Sequence, residues 1–126
     1  MKGLEKFKPH EKQILNQFVR SLPEKSKLVF GRQISCVGVV QRLANGFDVN
    51  MYSKGIFSAK PLNCERFEDM LDELLAATFR PVAANSKLDV AKLWFVRGRP
   101  FAIEFGGSGS WDAETEWVCE LEYPFS

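Results

Sequence analysis

Apolar residues recur at helical spacing in the first segment of the chain, from Pro9 to Leu22. Five of them fall on one stripe of a helix: Ile14, Leu15, Phe18, Val19 and Leu22. Pro9 suits the first turn of a helix, and Pro23 cannot continue one. The pattern therefore predicts a helix over residues 9–22.

A second helical pattern extends from Cys64 to Phe79. Asn63 is a candidate N-cap, and Arg80-Pro81 marks the end. The apolar stripe consists of Phe67, Met70, Leu71, Leu74, Leu75 and Phe79. Carboxylates cover the opposite side, and those in the first turns favour the positive end of the helix dipole. We expect this to be the second helix of the fold.

The remaining apolar segments are short. In some, apolar and polar residues alternate, and others are rich in β-branched residues; both patterns are typical of strands. Asn45-Gly46 separates two of them and is a strong hairpin signal. The predicted strands are Leu28–Phe30, Ile34–Leu43, Phe47–Tyr52, Asp89–Val96, Phe101–Phe105 and a last strand from Trp111 to Tyr123. The predicted connections are Ser53–Pro61, Val82–Lys87 and Gly106–Ser110.

These elements predict a single α+β domain over residues 1–126 with the order αββ(β)αβββ. Short turns between the last three strands favour an antiparallel meander. Five to six antiparallel strands with both helices packed on one face would bury both helical stripes. A chain of 126 residues is long enough to form such a core.

The last predicted strand carries an alternating row of carboxylates. Between Pro100 and Ser126 there are six carboxylates and no Lys or Arg. Odd positions from Trp111 to Tyr123 are mainly apolar, whereas the even positions hold Asp112, Glu114, Glu116, Val118, Glu120 and Glu122. Because side chains alternate across a strand, one face would be buried and the other would be negatively charged.

Charge is distributed unevenly along the chain, although the net charge is only +1. Residues 1–60 hold eleven Lys or Arg and four Asp or Glu. The basic half could therefore pair with the acidic strand inside the fold, or the carboxylates could protect an edge strand from aggregation. If they are neither paired nor protective, they form a surface for a basic partner, with Trp111 or Tyr123 as an apolar anchor.

Signals for catalysis, metals and membranes are weak. His10 is the sole histidine, and Cys36, Cys64 and Cys119 are too few and too widely spaced to indicate a disulfide framework or a metal site. No apolar run is long enough for a signal peptide or a membrane span. We therefore expect a cytoplasmic, non-enzymatic protein with no cofactor and no metal.

The build of the chain resembles that of small bacterial immunity proteins that neutralise polymorphic toxins, including those of contact-dependent growth inhibition. The resemblance rests on HEKQILNQFVRSL, CERFEDMLDELLAATF, the strand pair VAKLWFV and PFAIEF, and the acidic strand. It implies a monomer that forms a heterodimer with one cognate toxin domain, often a nuclease with a basic cleft. The partner-binding residues would be Trp111, Asp112, Glu114, Glu116, Glu120, Glu122 and Tyr123.

Two alternatives remain open from the sequence. The first is a small ligand-binding or enzymatic domain with a site near the loop Gly106–Ser110. The second is a nucleic-acid-binding module that uses dispersed cations, although no recognition motif supports it. Its candidate residues are Lys6, Lys8, Arg32, Arg42, Arg97 and Arg99.

Overall fold

The computed structural model describes residues 1–53, 62–68, 70, 72–82, 89–107 and 111–126. These residues contain two α-helices followed by six strands. The helices are α1 (Pro9–Ser21) and α2 (Glu24–Ser35). The strands are β1 (Val39–Leu43), β2 (Asp48–Tyr52), β3 (Glu73–Pro81), β4 (Ala91–Val96), β5 (Arg99–Phe105) and β6 (Trp117–Leu121).

The strands form one antiparallel sheet in the order β1-β2-β5-β4-β3-β6. Both helices pack on the same face, since Phe18 of α1 and Phe30 of α2 each contact Phe95 of β4. Phe125 from the C-terminal segment joins this aromatic cluster, with its ring centroid 5.5 Å from that of Phe18. The predicted α+β class, with two helices and an antiparallel sheet of five to six strands, is confirmed.

The first predicted helix is confirmed as α1. Its apolar stripe is buried at Ile14, Leu15 and Phe18. Glu11 is also fully buried on this side, where it forms a bidentate ion pair with Arg42 of β1 (Nε–Oε2 2.8 Å, Nη2–Oε1 2.6 Å). This pair joins the start of the helix to one edge of the sheet.

The second helix lies earlier in the chain than the sequence predicts. Residues 28–30 and 34–35, predicted as strand, belong to α2. Four positions of α2 are buried at helical spacing: Ser26, Phe30, Gln33 and Ile34. Because two of them are polar, the apolar pattern of the sequence does not indicate this helix. Gly31 does not end the element, and the strand predicted over residues 34–43 begins only at Val39.

The helix predicted over residues 64–79 is wrong, and the predicted element order is corrected to two helices followed by six strands. Residues 73–81 form β3, and none of the other described residues in that segment is helical. Residues 76–79 are buried, with Ala76, Ala77 and Phe79 in the hydrophobic core, and β3 lies between β4 and β6 in the sheet. A short, continuous apolar run is compatible with a buried strand, and tertiary packing overrides the helix propensity of Leu, Ala and Glu.

The predicted meander of the last three strands is wrong for the third, because β6 pairs with β3 and not with β5. The predicted turn at Asn45-Gly46 and the short turn between β4 and β5 are confirmed. Ala44, Asn45 and Gly46 form the turn between β1 and β2. Arg97 and Gly98, both with positive φ (51° and 82°), connect β4 to β5. A Cβ atom at Gly98 would overlap the carbonyl oxygen of Phe67, so this position requires glycine.

The predicted connections fall partly on residues 54–61, 83–88 and 108–110, which lie outside the described residues. The same applies to Leu71 of the predicted helical stripe. Neither helix in the described part of the chain has the length and apolar content needed to cross a membrane.

Candidate protein-binding surface

The acidic segment forms a shorter strand than predicted. β6 comprises only residues 117–121, and among the described strands it lies at the edge of the sheet and pairs with β3 alone. The predicted alternation holds along it: Trp117 is buried, Cys119 and Leu121 are partly buried, and Val118 and Glu120 are exposed. Glu116 and Glu122 extend the exposed row at the two ends, because hydrogen bonds to β3 continue there (Val82 N–Glu116 O 2.9 Å, Glu122 N–Ala76 O 2.8 Å).

Residues 112–115 form a turn before β6, not the strand that the alternation predicts. The Asp112 carboxylate accepts hydrogen bonds from the Glu114 amide (2.8 Å) and from the Thr115 hydroxyl (3.4 Å). The Asp112 amide in turn donates to Thr115 Oγ1 (2.9 Å). Asp112 thus holds its own turn together, and only Glu116, Glu120 and Glu122 share one side of the sheet edge.

The five predicted carboxylates are all exposed, and none of them forms an ion pair with another residue that the structure describes. We call them the acidic surface: Asp112, Glu114, Glu116, Glu120 and Glu122. Within the described ranges, no Lys or Arg nitrogen lies within 4.0 Å of any of their carboxylate oxygens. The ion pairs that do form use other acids, namely Glu5, Glu11, Glu24, Glu65 and Asp72.

The nearest cation by strand register is Arg80 of β3. It lies opposite Val118, so it is diagonal to both Glu116 and Glu120, at roughly 7 Å between Cα atoms. Arg80 is exposed and forms an ion pair with neither glutamate in the part of the chain that the structure describes. The prediction that adjacent basic residues neutralise the carboxylates therefore finds no support at this position.

Two exposed valines lie within the acidic surface. Val118 is 56% exposed and stands between Glu116 and Glu120 on the side of the sheet opposite the helices. Val82 is 61% exposed and pairs with Glu116 just beyond the end of β3. An apolar centre with charged neighbours is typical of the arrangement found in protein interfaces.

The predicted aromatic anchors are less available than expected. Trp111 is half-buried, stacked on Phe105 (centroids 5.0 Å apart) and edge-on to Phe47 (5.4 Å). Tyr123 is half-buried against Phe125 (5.0 Å). Both aromatics pack against their own chain, so the exposed apolar group nearest the carboxylates is Val118. Val118 is recognisable in the sequence, because it is the one apolar residue among the even positions that otherwise hold acids.

The residues considered for catalysis occupy structural positions. His10 packs on the Phe105 ring (5.1 Å), and burial lowers the pKa of its imidazole. Burial also raises the pKa of the Cys119 thiol. Among the described residues, no group of three or more His, Cys, Asp or Glu is arranged to hold a metal ion.

All four arginines considered for nucleic-acid binding have partners within the molecule. Arg32 pairs with Glu65 (2.9 Å), Arg42 with Glu11 (2.6 Å) and Arg97 with Asp72 (3.2 Å). Arg99 donates to the Cys64 carbonyl oxygen (2.5 Å). These contacts reduce the positive charge available for phosphate groups.

The loop considered for ligand binding lies partly outside the described residues, at positions 108–110. Its first residue, Gly106, donates a backbone hydrogen bond to Val90 (2.8 Å). A cleft of ≈ 590 Å³ lies elsewhere, between α2, residues 64–68 and the C-terminal segment. Its charged lining is mixed, with Lys25, Arg66 and Arg99 beside Glu65 and Glu68.

Comparison with known proteins places the chain in no family. No family model matches it, and neither a curated protein nor a solved structure is significantly similar to it.

Proposed function

We propose that this protein is a non-enzymatic inhibitor that binds a basic protein domain through the acidic surface. In its most specific form, it is a cytoplasmic immunity protein that neutralises a cognate toxin, a nuclease, by forming a one-to-one heterodimer. The observation that carries the proposal is the set of five exposed carboxylates that have no ion-pair partner among the described residues.

The cost of this arrangement to the fold supports a role in binding. Neighbouring like charges on a strand repel each other, by a few tenths of a kcal/mol for each exposed pair. Elsewhere in the described part of the chain, Glu11 and Glu65 have arginine partners that offset their charge. A partner that brings cations would relieve the repulsion and would be attracted over a distance, giving fast and salt-sensitive association.

The shape of the surface indicates how a partner would bind. Glu116, Val118 and Glu120 lie on one side of β6, with successive side chains about 6.6 Å apart. Two Lys or Arg side chains could reach the glutamates while an apolar group covers Val118. Removing Val118 from water would supply the hydrophobic part of the binding energy, and the charges would supply specificity.

A different explanation for the carboxylates is protection of the sheet edge. Charged residues on an edge strand discourage pairing with another copy, and β6 is an edge strand. This explanation requires only negative charge, and it predicts no partner. It therefore predicts that reversing the charge to positive is tolerated, because lysine protects an edge as well as glutamate does.

Growth rescue distinguishes the two explanations. The C-terminal domain of the protein encoded beside this gene is expressed in a host cell, alone and together with this chain. We expect the domain to stop growth and the chain to restore it. The variant Glu116→Lys/Glu120→Lys/Glu122→Lys should fail to restore growth at an equal level of soluble protein.

A matched control reverses three other exposed glutamates, in the variant Glu24→Lys/Glu68→Lys/Glu73→Lys. It has the same net charge and should protect as the unaltered chain does. Protection by both variants would reject the acidic surface as the binding site. Absence of protection by the unaltered chain would reject the immunity function for this partner.

A further inference from the structure

The C-terminal end of α2 is bonded to the segment that contains Cys64. Arg32 Nη1 lies 2.9 Å from Glu65 Oε2, and Gln33 Nε2 donates to the Glu65 carbonyl oxygen at 2.9 Å. On the other side, Arg99 donates to the Cys64 carbonyl oxygen. These bonds hold residues 64–65 against the last turn of the helix.

Cys36 lies in the same place. It caps α2, and its amide donates to the Gln33 carbonyl oxygen (3.1 Å). Because Cys36 follows Arg32 by four residues and Gln33 by three, it lies on the helix face that contacts residues 64–65. The Cys36 thiol, which is exposed, is accordingly a neighbour of the partly buried Cys64 thiol and contributes to raising its pKa.

We propose that Cys36 and Cys64 form a reversible disulfide bond when the protein meets an oxidising low-molecular-weight disulfide. The two cysteines are neighbours at the end of α2, Cys36 is accessible to the reagent, and hydrogen bonds from residues 32, 33 and 99 hold the segment around Cys64 in place. This site is separate from the acidic surface and does not depend on the proposed function.

The reaction proceeds by thiol–disulfide exchange in two steps. The Cys36 thiolate attacks one sulfur of the reagent, forms a mixed disulfide and releases the first reagent thiol. The Cys64 thiolate then attacks the Cys36 sulfur, closes the protein disulfide and releases the second reagent thiol. The protein loses two protons and two electrons, and the reagent gains both, since one disulfide becomes two thiols.

The environment of Cys64 sets the order of the two steps. Burial, followed by the neighbouring Cys36, raises the pKa of the Cys64 thiol to about 11. Cys64 is therefore protonated at neutral pH and reacts poorly with an external reagent. Exposed Cys36 therefore reacts first with the reagent. Cys64 then attacks the mixed disulfide at Cys36, because its proximity gives it a high effective concentration.

Closing the bond would restrict the chain between residues 36 and 64, which includes β1 and β2. It would also fix residue 64 in the lining of the ≈ 590 Å³ cleft. A disulfide reduces the conformational entropy of the unfolded chain. We therefore expect oxidation to raise the midpoint of thermal unfolding by at least about 5 °C.

The test treats the native, fully reduced protein with oxidised glutathione and measures its intact mass. We expect a loss of two hydrogen atoms, a fall from three free thiols to one, and a proteolytic cross-link between Cys36 and Cys64. Reduction by dithiothreitol should restore the original mass. Formation should slow by more than about tenfold in urea, because unfolding separates the two thiols.

Two variants control the assignment. Cys36→Ser should abolish the cross-link, whereas Cys119→Ser should leave it unchanged, since Cys119 lies on β6 beside Ser21 of α1. A cross-link to Cys119 would overturn the proposal. Stable glutathione adducts without closure, or an equal rate in urea, would overturn it as well.

Discussion

At the scale of single residues, the ion pair between Glu11 and Arg42 joins α1 to the sheet. The Glu11 side chain is 0% exposed and that of Arg42 is 24% exposed. Burial alone would raise the pKa of Glu11, but hydrogen bonds from Arg42 and from the Lys8 amide outweigh it and lower the pKa below its ordinary value of 4.5. A charge placed in this way costs much free energy if its partner is removed.

We expect Glu11→Gln to lower the free energy of unfolding by about 2 to 4 kcal/mol, because it leaves Arg42 partly buried without a counter-ion. Urea denaturation measures the change. The matched control is Glu65→Gln, which breaks an exposed pair with Arg32 and should cost less than about 1 kcal/mol. Equal effects of the two substitutions would contradict the assignment of Glu11 as a structural residue.

The same residue predicts a dependence of stability on pH. Because folding lowers the pKa of Glu11, its contribution is fully present above pH 4.5 and is lost as the pH falls through the folded-state pKa. The stability difference between the unaltered protein and Glu11→Gln should therefore be constant near neutral pH and shrink in acid. Denaturation series from neutral pH to about pH 3 would show this, and a difference that grows in acid would refute it.

At the scale of elements, local patterns predicted α1, the two tight turns and the strand pair β4–β5. Local patterns gave wrong predictions for α2 and β3, where contacts with distant parts of the chain determine the secondary structure. The stripe of α2 includes Ser26 and Gln33, whose burial depends on acceptors far along the chain: Ser126 O for Ser26, and Glu65 O and Gly98 O for Gln33. β3 has helix-forming residues but is buried between two strands.

Gly31 provides a test of α2. It lies inside the helix, its φ is not positive, and a Cβ atom there would have no neighbour within 4 Å. Gly31→Ala should therefore raise the free energy of unfolding by about 0.5 to 1 kcal/mol, since alanine loses less backbone entropy in a helix. Gly98→Ala is the contrasting variant and should destabilise. A loss of stability in Gly31→Ala would argue against a helix at this position.

The acidic surface was partly predictable for similar reasons. The alternation identified Glu116, Glu120 and Glu122 as one exposed row, because the period of two is a property of any strand. It could not show that residues 112–115 turn away through the bonds between Asp112 and Thr115, nor that Trp111 stacks on Phe105. Those features depend on contacts that alternation alone does not encode.

We expect the neutralised variant Glu116→Gln/Glu120→Gln/Glu122→Gln to be as stable as the unaltered protein or slightly more stable, by up to about 0.5 kcal/mol, because like-charge repulsion is removed. The gain should be larger at low salt than at high salt. Urea denaturation at two salt concentrations measures both. A loss of more than about 1 kcal/mol would mean that the glutamates hold the fold together.

At the scale of the whole molecule, charged residues differ in whether they form ion pairs with other described residues. Two arginines of the N-terminal half form ion pairs that join elements: Arg42 of β1 pairs with Glu11 of α1, and Arg32 of α2 pairs with Glu65. The C-terminal acids remain outside these pairs, at one edge of the sheet and beside two exposed valines. A near-neutral net charge thus conceals a strongly negative edge.

The most direct measurement is the dissociation constant for the neighbour-encoded domain, determined by calorimetry at about 50 mM and about 300 mM salt. We predict that the unaltered chain binds more weakly at the higher salt and that Glu116→Lys/Glu120→Lys weakens binding at least about 100-fold at low salt. Glu24→Lys/Glu73→Lys, which reverses two glutamates elsewhere, should bind as the unaltered chain does. Equal affinity of the three proteins, with no dependence on salt, would contradict the account.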